Sequence, residues 1–389
     1  MPENSASHIG IRMRDIRKRR GLTQRDLAAA SGVSLSLIRK LEQGEVQDTR
    51  METAHRLARA LLVPTSRLLH RDDPAATVAE PWRPLQRAVE QPPVQPEEEP
   101  TTDGARAALP PLRAAYFAQQ LHEVSTLLVP LLRDLAALDE TEENRALHAH
   151  ALQIAGSILT QAHQYSAAET ALSRAADAAT DRLRAASIRT TWTWLLMRQG
   201  RLAEAREMAT RWADDMEPRI SRATPEDLAA WGWLLLQLAA ASLRDNRAGE
   251  AQDAMRLARS VAVLTGAELP RGDSRLATWG PVTVAYKRAE RGIVLDRPDE
   301  VLKVADQVQG AGPATSTEYH RHRVDVARAH VMMRQYGEAV DVLSEVRAQA
   351  PEWLVEQRSA RDVMGDVIRH RRTLTPEMRT LADEVGVPM

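Results

Sequence analysis

From residue 9 onward apolar side chains fall at helical intervals. Ile9, Met13 and Ile16 form one group, Leu27, Ala28 and Ala30 a second, Leu37, Ile38 and Leu41 a third, and Ala54, Leu57, Ala58, Leu61 and Leu62 a fourth. Steps of three or four within each group place most of its members on one helix face. Thr23 followed by Asp26 is a capping pattern, while Gly32 and Gly44 mark the ends of the second and third groups. With "PTSRLL" as a short fifth helix, residues 1–71 are expected to close a small five-helix core. The pattern then breaks. Residues 72–104 hold seven prolines and eight acids against two arginines, which predicts an extended, flexible Pro/Glu-rich linker. Over 105–389 the helical period returns, and no stretch alternates with period two. The fold class expected is all-α.

The body also repeats itself. "HQYSAAETALSRA", "QGRLAEAREMATR", "DNRAGEAQDAMRLA", "DRPDEVLKVADQV" and "RQYGEAVDVLSEV" each set a turn before a pair of small residues and an apolar face. Their fixed points, Ala168, Ala205, Ala251, Val301 and Ala339, lie 37, 46, 50 and 38 residues apart. This resembles the tetratricopeptide repeat, a helix pair of about 34 residues with small residues where helices touch. Leu152, Gly156, Leu159, Tyr165, Ala168, Leu172 and Ala175 match its packing positions in register. The likeness implies a helical solenoid with a concave face over roughly residues 142–350. Two departures stand out: Arg288 occupies an apolar position of the fourth repeat, and the third and fourth repeats are too far apart.

In the head, two short helices joined at a glycine form a helix-turn-helix. "GLTQ", "GVSLSLIRKLEQG" and "RLARAL" followed by "LLVPTSRLL" make residues 9–69 resemble the Cro/C1-type (XRE) family. That resemblance implies that double-stranded operator DNA is the partner, with the third helix in the major groove. Ser34, Leu35, Ser36 and Lys40 match its base-facing positions, Thr23 and Gln24 open the second helix with Gln24 as a phosphate contact, Arg39 faces phosphate, and Arg50 approaches the minor groove or backbone. Arg17 and Glu42 match a buried structural ion pair. Charge points the same way: residues 1–71 carry 14 Lys and Arg against 7 Asp and Glu, whereas the remaining 318 carry 38 against 46. A surplus of cations on one domain of a near-neutral chain suits a polyanion.

Relatives of such heads act as homodimers on inverted repeats. Dimerisation is expected through the body or its flanking helices at 112–138 and 352–385, although the apolar stripe of "LPPLRAAYFAQQLHEVSTLLVPLLRDLAAL" suits equally a cap on the first repeat. By the tetratricopeptide register the groove is lined by Gln153, Ser157 and Gln161, by Thr190, Trp194 and Arg198, by Trp233, Leu236 and Arg244, and by Arg321 and Arg328. Tryptophans beside arginines suit an effector with an apolar part and an anion. Trp192 and Trp231 read as interhelix core. The combination of head and body resembles peptide-responsive regulators, but the three asparagines, Asn4, Asn144 and Asn246, miss the groove, so the effector is as readily a small molecule as a peptide.

Other classes fare worse. There is no phosphate-cradling glycine loop, no G-x-S-x-G and no H-E-x-x-H, so neither an enzyme nor a cofactor is expected. The pairs "HAH" (148–150) and "HRH" (320–322) point to opposite sides of a helix and cannot share one metal. With zero cysteines, no apolar leader and no membrane-length apolar run, a cytoplasmic protein is expected. The reading is a ligand-modulated transcription regulator; its rival is an adaptor whose repeats hold a protein partner.

Overall fold

The computed structural model describes residues 9–46, 51–63, 68, 82–91, 99–308, 310 and 317–387. The protein is all-α, an N-terminal helix-turn-helix head followed by paired helices. Four head helices are described: α1 (Ile9–Arg19), α2 (Gln24–Ser31), α3 (Leu35–Gln43) and α4 (Met51–Ala60). Of the expected fifth, only Leu68 is described, and it is buried in the head core; the side chain of Ala54 lies outside the described residues. The sequence signals act as physics requires. Thr23 Oγ1 accepts from Asp26 N and the Asp26 carboxylate accepts from Thr23 N, closing a capping box at α2. Gly32 and Gly44 take left-handed φ values of 66° and 77° to stop α2 and α3.

Ile9, Met13, Ile16, Leu27, Ile38, Leu41, Leu57 and Leu61 interlock beneath α3. The crossing of α1 over α3 is close: a Cβ on Gly10 would stand 1.7 Å from Leu41 O. Glycine is required there for space rather than for backbone conformation.

The segment expected to be extended contains a helix, α5 (Arg83–Glu90). Trp82, Leu85 and Val89 are buried in the body core, and Arg174 donates to Val89 O at 2.7 Å. Seven prolines masked a one-sided apolar triplet, so the linker is interrupted by an anchored turn of chain. Next come α6 (Thr102–Phe117) and α7 (Leu121–Ala137), whose stripe of Leu112, Tyr116, Val124, Leu128, Leu131 and Leu135 packs inward with the first repeat. This is the cap alternative; the stripe is covered within the chain and is not a free dimerisation surface.

Five helix pairs follow: α8 (Glu142–Gln161) with α9 (Tyr165–Ala178), α10 (Arg182–Arg198) with α11 (Leu202–Met216), α12 (Pro225–Arg244) with α13 (Ala248–Thr265), α14 (Pro281–Val294) with α15 (Pro298–Gln307), and α16 (Thr317–Met332) with α17 (Tyr336–Gln349). Ala168, Ala205, Ala251, Val301 and Ala339 are all buried where the second helix of each pair begins. In the first pair Gly156 lets α9 approach so closely that an added Cβ would meet Leu172 at 2.6 Å. Arg288, the misfit of the fourth repeat, turns outward and donates to Gln307 Oε1 at 2.7 Å.

The long spacing between the third and fourth repeats is a strap, residues 266–280. Leu269 and Trp279 pair as an isolated antiparallel bridge, and Trp279 is fully buried against Gly232, where a Cβ would lie 2.1 Å from the indole. Glu268 caps α14 by accepting from Val282 N at 2.9 Å, a carboxylate at a helix N-terminus. From the far side Arg113 of α6 donates to Gly272 O and Asp273 O at 2.9 and 3.2 Å. The strap thus crosses the concave face.

The chain closes with α18 (Pro351–Val355), α19 (Arg358–His370) and α20 (Pro376–Glu384), whose Trp353, Leu354, Val363, Met364, Val367, Ile368 and Leu381 are buried with the last repeats. The 352–385 stripe, too, is consumed internally. This terminal cap meets the head. Arg19 at the end of α1 is buried, donating to Val387 O and lying 3.5 Å from Asp383 Oδ1.

Candidate nucleic-acid interface and ligand cavity

The exposed side of α3 follows from the buried one. With Ile38 and Leu41 in the core, Ser36, Arg39 and Lys40 face outward, Ser34 is exposed at the N-cap and Leu35 is half-buried. Ser34 Oγ accepts from Leu37 N at 3.2 Å, so its acceptor capacity is partly used in starting the helix. Thr23 is likewise engaged in its capping box. Arg50 lies outside the described residues.

Beneath this surface Arg17 Nε and Nη2 donate to Glu42 Oε1 and Oε2 at 2.6 and 2.8 Å, a bidentate pair between α1 and α3. Arg17 Nη1 also donates to Leu22 O at 2.8 Å, and Gln24 Nε2 donates to Glu42 Oε2 at 2.8 Å. The side chain expected on phosphate is therefore turned inward, where it completes the carboxylate's shell. These bonds tie α1, the α1–α2 turn and the start of α2 to the C-terminal end of α3, which fixes the face that α3 turns outward.

The second site is a cavity of about 270 Å³ in the concave face, near the lower edge of small-molecule sites. The expected Ser157, Gln161, Thr190, Trp194, Arg198, Trp233 and Arg244 all line it. Gln153 does not: it is buried between α8 and α10, donating to Ser187 Oγ and Thr191 Oγ1 at 2.8 and 3.2 Å. Arg328 also misses it, because Asp325 is the last α16 residue to reach the wall. Leu236 is core, as is Trp231, and Trp192, half-buried under Arg189 with the guanidinium carbon 4.9 Å from the ring centroid, packs against the core.

Much of the lining comes from outside the repeat register. Tyr116 enters from the cap, Arg275 and Leu276 from the strap, and Trp353 and Gln357 from the terminal helices. The unusual spacing before the fourth repeat was the signal for the strap; nothing local marked Tyr116 or Trp353. Tyr116 Oη and Ser157 Oγ share a hydrogen bond of 2.8 Å, and burial pushes the phenol up to about 12.

Most charges here are paired. Arg275 donates to Glu226 and to Pro270 O. Arg244 and Lys287 donate to Glu290 Oε1 and Oε2 at 2.6 and 2.8 Å. Burial acts to raise Glu290, but those two cations outweigh it and hold the carboxyl well below its ordinary range. Asp325 behaves oppositely: burial, then the Glu290 charge, push it up to about 7 against the pull of Lys287, Arg244 and Arg321. Elsewhere His150 is driven down to about 3 by burial and by Arg184 and Arg113, so at neutral pH it is uncharged. Among the described residues no group of three His, Asp or Glu side chains could hold a metal, and no helix is long and apolar enough to cross a membrane.

The head is thus a helix-turn-helix module with a polar, cationic third helix, and the body a capped solenoid around a cavity. Residues 13–68 match the family model described as helix-turn-helix, HTH_3. No curated protein matches the chain. Two solved structures resemble it: Bacillus thuringiensis PlcR in complex with the peptide PapR7 and DNA, 14% identical over 78% of this chain and 96% of that one, with a TM-score of 0.38; and apo ComR from S. thermophilus, 12% identical over 89% and 96%, with a TM-score of 0.23. Both superpositions are loose, and the assignment of the head rests on its own match.

Proposed function

We propose that the protein is a cytoplasmic, homodimeric transcription regulator that binds a palindromic operator through α3 and is tuned by an effector in the solenoid cavity. The observation that carries this reading is the outward row of Ser34, Ser36, Arg39 and Lys40 on a helix clamped from beneath by Arg17 and Glu42. Lysine donates to guanine O6 or N7, serine pairs with either kind of edge, and Leu35 offers an apolar contact to a thymine methyl. The Arg39 guanidinium, one helical step from Lys40, suits the phosphate rail, while Gln24, turned onto Glu42, positions rather than touches DNA. The effector acts through the terminal cap, which borders the cavity at Trp353 and Gln357 and grips the head at Arg19. A coupling of about 1–3 kcal/mol between two such sites is enough to switch occupancy.

Selection of bound sequences from random duplex DNA by the full chain tests this. A palindromic consensus is expected, with K40A and S36A each relaxing one position by about 1–3 kcal/mol. Affinity is expected to fall steeply with salt. Recovery of no consensus, or an unchanged consensus from the double variant, rejects the reading.

A further inference from the structure

Resting on the effector reading above, we propose that the cavity binds a small organic anion, its carboxylate or phosphate held between Arg198 and Arg321 and its apolar body laid along Trp194. Every other cation of the wall is neutralised by a carboxylate of the same wall: Arg244 and Lys287 by Glu290, Arg275 by Glu226. Arg198 and Arg321 make no hydrogen bond or ion pair among the described residues. The Arg198 charge also lies close enough to act on Arg321. Burial, then the Arg198 charge, lowers the pKa of Arg321, and Glu318 and Glu290 offset this only in part. Two guanidinium groups facing one desolvated space are costly unless an anion joins them, and their forked donors match carboxylate and phosphate geometry.

Two further features point at a ligand. Trp353 Nε1 and Gln161 Oε1 both belong to fully or almost fully buried side chains that line the cavity, and neither has a hydrogen-bond partner. Such orphans are rare in native interiors and call for a partner. The indole N–H is a further donor for an anion. The Arg321 guanidinium carbon stands 4.5 Å from the Trp194 ring centroid, so the cation rests over the indole face and is restrained there. Hydroxyls from Ser187, Thr190 and Thr191 complete a polar wall.

The test uses the full-length protein without DNA, so its outcome is independent of operator binding. Melting temperature and tryptophan fluorescence are followed with 1-naphthoate, 1-naphthyl phosphate and the neutral 1-naphthalenemethanol as probes. Saturable stabilisation by at least one anion and none by the alcohol is expected; which anion wins tells carboxylate from phosphate. R321M and, as a milder change at the half-buried partner, R198Q are each expected to weaken that anion at least tenfold while leaving the far-ultraviolet circular dichroism unchanged. Equal binding of the alcohol, equal binding to both variants, or no stabilisation by either anion up to millimolar concentration would overturn the assignment. Loss of operator binding with these results intact would instead fault the head.

Discussion

Single residues carry the charge arrangements on which both sites depend. Glu42 accepts from Arg17 twice and from Gln24 once, deep under α3. Removing either member of a buried pair leaves an uncompensated charge, so R17M or E42A is expected to cost about 3–5 kcal/mol in urea unfolding of the head. A double variant costing as much as the two single ones added would show that the pair is not coupled. Asp325 sets a pH dependence. With its pKa near 7, it is neutral in more acidic solution and ionises as pH rises, placing a negative charge beside Glu290 while Lys287, Arg244 and Arg321 only partly offset it. Anion affinity is therefore expected to fall as pH climbs through about 7, and D325N to flatten the profile; an unchanged profile in D325N would assign the titration elsewhere. Arg17, Glu42 and Lys40 were singled out by the family resemblance, and Trp194 and Arg198 by the tetratricopeptide register; in the fold Arg17 pairs with Glu42, Lys40 is exposed, and Trp194 and Arg198 line the cavity. The Gln24 amide can face phosphate or carboxylate equally well, and in the fold it donates to Glu42.

Elements show where apolar patterning is decisive and where it fails. The five helix pairs were legible because the second helix opens on a buried alanine in four of them and on Val301, seated against Gly292, in the other. Helix α5 was not: prolines and acids dominate its window, and three apolar residues on one face acquire meaning only against α7 and α9. The strap is a similar case, visible as surplus length but with its course set by Trp279 seating on Gly232. At α1, the contact of Gly10 with the α3 backbone leaves no room for a methyl group. G10A is expected to destabilise the head by about 1–3 kcal/mol or more through overpacking, despite alanine's better helix propensity. Thermal unfolding of the isolated transition of the head would reveal this, and a stabilised variant would mean that the crossing is wider than described.

For the whole molecule, the contact of Arg19 with Asp383 and Val387 joins head and terminal cap across 364 and 368 residues of sequence. If the cavity communicates with the head along this route, R19A is expected to leave operator affinity within about threefold, consistent with ΔΔG below 1 kcal/mol, while abolishing the shift caused by a bound anion. Gel-shift titrations with and without the stabilising probe measure both quantities, and a preserved shift in R19A would place the coupling in another contact.

What the sequence determined by itself was periodic and local: helical class, caps and the cationic head, because a 3.6-residue period fixes which side chains share a face, and, through the tetratricopeptide likeness, the repeat register and eight of the eleven groove positions. Tertiary structure alone decided which of those faces were already covered, which cations had carboxylate partners, and which distant segments closed the cavity. Those outcomes depend on pairs such as Arg113 with the strap, Arg321 with Trp194 and Arg19 with the terminal cap, whose members lie 127 or more residues apart. No local pattern encodes such a meeting; it exists only once the solenoid has wound.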